Sequence, residues 1–309
     1  MRKIASVGIL VADVVAKPVS RYPDRGVCVH VDTMELHVGG CASNTGLALA
    51  KLGLPVAVIG KVGQDPFGDF LIQTLQQHGV DTRGIQRAQK GTSSTMVMVH
   101  PDGERSFIHH VGANGEFAPE DIDWDVVREC ALFHLAGAFL MPKMDGEPAS
   151  RVLQHARALG LTTSLDTTWD ASGRWMELLR PCLPHLDYIL PNYGEACGLT
   201  GETEPERIAD RLLEAGVGTV VIKMDAQGCF VKNREVAFSV PAYPVEVVDM
   251  LGAGDCFCAG FLAGLALGWD LEKTARLANA VGALCVTQLG ATTGVRPLEE
   301  TLRWAGITA

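Results

Sequence analysis

Asp255 follows directly on a Gly252-Ala253-Gly254 turn, and that adjacency is the strongest chemical signal in the chain. Val248-Asp249-Met250-Leu251 leads into it. An apolar strand is expected at 245–248 and an apolar helix from about 255 to 267, stopped by Gly268. The backbone N–H groups of Gly252, Ala253 and Gly254, with the helix N-terminus, make a concave anion site. Glycine lets the main chain approach a phosphate with no Cβ in the way. A carboxylate in the same turn repels a bound anion, so its presence needs a reason. Taking a proton from a hydroxyl that attacks phosphorus supplies one, with Asp255 as general base. The same residues also suit a helix start in which Asp255 only complements the dipole.

Three more segments bear on the choice. An apolar strand expected at 4–11 runs out at Asp13, the end at which open α/β sheets bind ligands. His37-Val38-Gly39-Gly40-Cys41-Ala42-Ser43-Asn44 then opens a helix. A carboxylate with an amide that both donates and accepts is a standard grip on sugar hydroxyls. Gly60-Lys61-Val62-Gly63-Gln64-Asp65-Pro66-Phe67-Gly68-Asp69 reads as a turn and a helix begun by Asp65 with Pro66 at its first position. Pro191-Asn192-Tyr193-Gly194-Glu195 follows a short apolar strand.

These elements must be held by a framework, and the pattern from Val56 onward names one. Strand-like and helix-like segments alternate, which implies an α/β fold with a mostly parallel sheet covered by helices. Two stretches, 17–36 and 92–110, break the alternation with short period-2 runs such as Val27-Cys28-Val29-His30-Val31 and Thr95-Met96-Val97-Met98-Val99. Strands paired outside the main sheet account for them.

Gly39-Gly40 with Asn44, the Gly-x-Val-Gly-x-Asp-x-x-Gly run, Pro-Asn-x-x-Glu and Asp249 ahead of Gly-Ala-Gly-Asp resemble, in that order, the ribokinase-like (PfkB-type) carbohydrate kinases. The resemblance implies one kinase domain over 1–309, a three-layer fold, and a small β-sheet lid from about 14–36 and 92–111 that often serves dimerisation. It casts Asp255 as base and the Gly252-Ala253-Gly254 turn as anion hole. Asp13, Gly39, Gly40 and Asn44 fall at substrate-hydroxyl positions. Asn192 and Glu195 fall near the phosphates of ATP, with Glu195 holding Mg2+ through water. Lys223 and Gly228 match the nucleotide strand end, and Asn279 falls beside the adenine or is simply an exposed helical asparagine. Asp225 stands where the family usually has glycine. Asp249 matches a potassium-site residue, with carbonyls near Gly290 and Ala291 as further ligands, or else is a plain turn residue.

The expected reaction is phosphorylation of a sugar or sugar acid by Mg2+-ATP. A nucleoside kinase is the alternative and needs an apolar or aromatic base slot, for which Phe107 and Tyr243 are the aromatics near plausible positions. A catalytically silent ligand binder is the third reading, opposed by the intact Asp255 turn. Ribokinases proper carry a sugar-binding glutamate where this chain has Ala136-Gly137-Ala138, which weakens ribose. A phosphosugar asks for extra cations near the lid, and Arg105 is the one candidate.

A formal charge of −10 with no basic run disfavours nucleic acid and anionic membrane surfaces. The 47% hydrophobic content of 309 residues suffices for a large core. Nine scattered cysteines with no Cys-x-x-Cys pattern argue for a reduced, cytoplasmic protein without a zinc site. Neither a signal peptide nor a membrane-spanning run is expected.

Overall fold

The computed structural model describes residues 2–308, so the outermost residues of the expected 1–309 domain lie outside it. Thirteen strands form two sheets. In chain order they are β1 Ile4–Gly8, β2 Val11–Lys17, β3 Thr33–Gly39, β4 Val56–Gly63, β5 Ile85–Ala88, β6 Ser94–Val99, β7 Arg105–His110, β8 Leu132–Ala138, β9 Thr162–Thr167, β10 Tyr188–Ile189, β11 Thr219–Lys223, β12 Cys229–Lys232 and β13 Ala237–Val240. The nine-stranded sheet has the order β13-β12-β11-β10-β9-β8-β1-β4-β5. It is parallel from β11 to β5, while β12 and β13 run antiparallel at one edge. β1, β8 and β11 are buried throughout, as parallel strands covered on both faces must be. β1 has later strands on either side, so the order reverses there and opens a crevice at the carboxyl ends of the strands.

Helix ends follow their caps closely. Asp65 accepts the Gly68 N–H and Pro66 opens the helix Pro66–Gln77. Asn192 and Glu195 form a reciprocal capping box on Tyr193–Thr200. Gly268, at φ 76°, closes Ala253–Leu267.

The four-stranded sheet, ordered β3-β2-β6-β7, is the expected lid with different bounds. The alternating run at 27–31 forms no strand, and β2 and β3 supply the pairing instead. A single strand through 4–11 is also not what forms. Gly8 takes φ 148° and β1 ends there, then β2 starts at Val11 in the other sheet. Asn114 spans the crossing: its Oδ1 accepts the Leu10 N–H (3.2 Å) and its Nδ2 donates to the Leu10 carbonyl (3.0 Å). Apolar content alone cannot mark such a change of sheet. The strand expected at 245–248 is absent too; Val247 and Val248 are each 57% exposed in an extended loop.

Candidate functional site

Register in the small sheet sorts its side chains into two kinds. His37, Asp13, Thr95 and His109 are consecutive cross-strand partners and so share one face. One residue along, Leu36, Val14, Met96 and Ile108 form the next row, on the opposite face. Asp13 therefore sits mid-strand in the small sheet, not at the end of a central strand as its sequence neighbours imply.

Asp13 is buried, and burial pushes its carboxyl up to about 6 despite a hydrogen bond from Thr95. Gly39 lies against it: a Cβ there would come within 1.9 Å of Asp13 Oδ2. Gly40 has φ 88°, and its Cβ would strike the Ile9 carbonyl at 2.6 Å. Both glycines are needed for the chain to reach the helix Cys41–Lys51 past the crossing of the sheets.

That helix carries Asn44, whose Nδ2 donates to Asp255 Oδ2 at 2.8 Å. The Asn44 Oδ1 is buried with no partner. A buried acceptor left open is costly, and here it sits beside a carboxylate. Burial pushes the Asp255 carboxyl up, with Asn44, Lys223 and the Cys41 thiol pulling the other way. Cys41 was not anticipated from the sequence; its place next to the paired glycines was the available signal.

Gly252, at φ 74°, is held against the Ala291 carbonyl, which a Cβ would meet at 2.2 Å. The helix starts at Ala253, two residues earlier than expected. The Ala253 N–H turns to the Met250 carbonyl (3.3 Å), so of the three expected donors Gly252 and Gly254 keep open N–H groups among the described residues.

Lys223, at the end of β11, lies below this turn, 3.4 Å from the place a Cβ on Gly254 would occupy. Its Nζ pairs with Asp166 Oδ1 at 2.5 Å. Burial alone would lower the Lys223 pKa, but Asp166, Cys258 and Glu195 hold it above its ordinary value, so the ammonium stays charged. Glu195 Oε2 accepts from Thr167 Oγ1 (2.9 Å) and the Asn192 N–H (3.0 Å). Asp166 lies near the end of β9, and its pairing across 57 residues leaves no local trace in sequence. Three carboxylates, Asp166, Glu195 and Asp255, thus interact with one lysine. Their excess negative charge suits a divalent cation brought in on phosphates. Among the described residues no three His, Cys, Asp or Glu side chains converge on a metal position.

Asn279 is not exposed. Its Nδ2 donates to the carbonyls of Val240 (3.0 Å) and Pro241 (3.1 Å). Gly228, at φ 95°, packs on the same Val240 carbonyl, which a Cβ would meet at 2.0 Å. The two nucleotide candidates converge on one segment. Asp225 takes φ 48°, a conformation glycine adopts freely, which explains why glycine suits that position. Tyr243 packs against Trp304, with its hydroxyl on the Ala305 carbonyl, and forms no base slot. Phe107 is 58% exposed on the inner side of the small sheet.

Asp249 does not present a free carboxylate. Its Oδ1 pairs with Arg105 Nη2 from β7 and accepts the Leu251 N–H at 2.7 Å, while Oδ2 accepts the Gly290 N–H at 2.8 Å. The Ala291 carbonyl receives the thiols of Cys256 and Cys285, each at 3.2 Å. Of the expected potassium ligands, the Asp249 carboxylate is thus paired with Arg105 and the Ala291 carbonyl accepts two thiols.

The family model for pfkB family carbohydrate kinases matches residues 1–297. The chain belongs to that family. An uncharacterized sugar kinase of Archaeoglobus fulgidus is 31% identical over 81% of this chain and 98% of its own. The aminoimidazole riboside kinase of Salmonella typhimurium is 30% identical over 83% and 84% respectively. A putative ribokinase II of E. coli, solved in complex with ATP and Mg2+, superposes with a TM-score of 0.86 at 27% identity over the whole of both chains. The architecture is the ribokinase fold, and the protein is a carbohydrate kinase, a phosphotransferase with an alcohol acceptor. No helix among the described residues is long and apolar enough to cross a membrane.

Proposed function

We propose that this kinase transfers the γ-phosphoryl group of ATP to a hydroxyl of a sugar or sugar acid bound between Asp13 and Asn44. The observation that carries the reading is the Asn44–Asp255 pair at the anion turn, with Asn44 Oδ1 open. Asp13 and Asn44 Oδ1 accept hydroxyl protons and orient the acceptor; Gly39 keeps Asp13 in place. Asp255 takes the proton of the attacking hydroxyl as its oxygen bonds to phosphorus and the β,γ-bridging bond breaks. A carboxyl raised by burial is a stronger base near neutral pH. The N–H groups of Gly252 and Gly254, with Lys223 beneath, receive the charge on the transferring oxygens. Mg2+, when bound, would neutralise charge on the phosphates, and Glu195 and Asn192 would hold its water shell. Gly228 and Asn279 shape the adenine end.

A single kinase domain covered by its small sheet follows from this reading. The outer row of that sheet leaves Met34, Met96 and Ile108 exposed, which supports a homodimer through the lid. Nine free cysteines support a reducing, cytoplasmic setting. The nucleoside alternative draws support from Trp169, 64% exposed just beyond β9 and edge-on to Trp175, as a platform for an aromatic ring.

The test is ADP release with Mg2+-ATP over sugars, sugar acids and nucleosides, alongside Asp255→Asn. Turnover on a sugar or sugar acid, lowered about 10²- to 10⁴-fold in the variant, is expected. Turnover confined to nucleosides replaces the acceptor class, and turnover indifferent to Asp255 removes the mechanism.

A further inference from the structure

We propose that Arg105 takes the place of a soluble monovalent cation at Asp249, so that the activating charge beside the anion turn is carried on the lid and the enzyme works without potassium. The inference rests on the kinase reading only for its turnover arm.

Asp249 stands three residues before Gly252, and its side chain is 3% exposed. A carboxylate buried so completely needs a counter-charge. The Arg105 guanidinium provides it, reaching across from β7, 144 residues away in sequence. The remaining lone pairs of Asp249 are taken by the N–H groups of Leu251 and Gly290, the two segments that flank the turn. Together these contacts hold the Asp249 carboxyl below its usual range, against the effect of burial.

A potassium ion would need several oxygens turned inward at the same place. Here Gly290 presents its N–H, and the Ala291 and Leu251 carbonyls accept cysteine thiols. The donor set is complementary to a guanidinium and two amides, and a bound cation would have to displace all three.

Arg105 lies on the inner face of the small sheet, in phase with Thr95 and His109, and its cross-strand partner is Val99. The charge therefore reaches Asp249 only when the sheet lies over the site, so that covering the acceptor and completing the electrostatics of the turn are one event. Arg105 acts through Asp249 and is a positioning residue. This also accounts for the cation on the lid without invoking a phosphosugar.

The experiment compares wild type, Arg105→Met and Arg105→Met/Asp249→Asn in choline, sodium and potassium chloride at equal ionic strength, reading melting temperature and turnover. Wild type is expected to melt and turn over alike in all three salts. Arg105→Met should lose roughly ten- to a hundredfold in turnover in choline, and regain most of it, together with its melting temperature, with millimolar guanidinium but not with potassium. The double variant should be indifferent to the cation. Potassium activation of the wild type would overturn the proposal, as would an Arg105→Met protein whose melting and turnover ignore every cation. If no acceptor is turned over by any form, the kinase reading fails while the melting series still decides this one.

Discussion

The central sheet and the small sheet treat polar groups in opposite ways. In the central sheet Lys223 and Asp166 meet at 2.5 Å, and Glu195 is held by Thr167 and Asn192, so each of these side chains has a partner within the protein. The inner row of the small sheet and the helix beneath it keep open valences: Asp13 is buried with its carboxyl pushed up to about 6, and Asn44 Oδ1 has no partner. Groups satisfied internally are fixed in place before any ligand arrives, and groups left open keep capacity for a new partner. The central sheet presents its charges already held, while the small sheet presents acceptors still to be filled.

The largest effect should come from unbalancing the central sheet. Lys223→Met leaves Asp166 buried without its partner and should cost about 3–5 kcal/mol in denaturant unfolding. A loss below about 1 kcal/mol would mean that this charge is not internally matched after all.

Asp13→Asn separates the two sheets further, because function and stability should move in opposite directions. A hydrogen bond to a charged group is worth about 1.5–3 kcal/mol, so kcat/KM should fall at least about tenfold. The sign for stability follows from the raised folded-state pKa. Protonated Asp13 is favoured in the fold, a contribution present below pH 4 and lost as pH rises through about 6. At pH 7–8 the asparagine variant should therefore be the more stable, by on the order of 2 kcal/mol, with the gap closing in acid. Wild-type kcat/KM should decline as pH falls through about 6, and the asparagine variant should keep only the acid limb that belongs to Asp255.

The outer row offers a third contrast. Met96→Lys/Ile108→Lys should yield a monomer in sedimentation with turnover within about twofold of wild type. Retention of a dimer would place the interface elsewhere. The smallest effect belongs to Asp225→Gly. Relief of a positive φ, worth about 1–2 kcal/mol, nearly cancels the entropy of a new glycine, about 0.5–1 kcal/mol, so melting should shift little.

Elements with caps were legible in advance. Asp65-Pro66 and Gly268 each mark a boundary through a local hydrogen bond or a φ value, and such signals sit within four residues of one another. The anion turn and Asn44 were likewise marked by glycine spacing. What eluded sequence was set by partners far along the chain. Apolar content at 4–11 does not say which sheet a strand joins, and the valine-rich run 245–248 joins no ladder, Val248 donating instead to the Val286 carbonyl at 2.8 Å. The pairs Arg105–Asp249 and Lys223–Asp166 exist only once the sheets are assembled. Asn279 illustrates the middle case: its residue type was noted, while its two backbone partners were not.

The Asn114 amide at Leu10 has a mechanical consequence. Ile9 stays tied to the central layer through Ala136 and Ala42, and Ala12 to the small sheet through Ser93. Between these anchors Leu10 hydrogen-bonds a side chain and no strand. The junction between the two sheets is therefore held by one side-chain amide and not by a ladder, and Asn114→Ala should speed amide exchange at Leu10 while leaving the strands of both sheets protected.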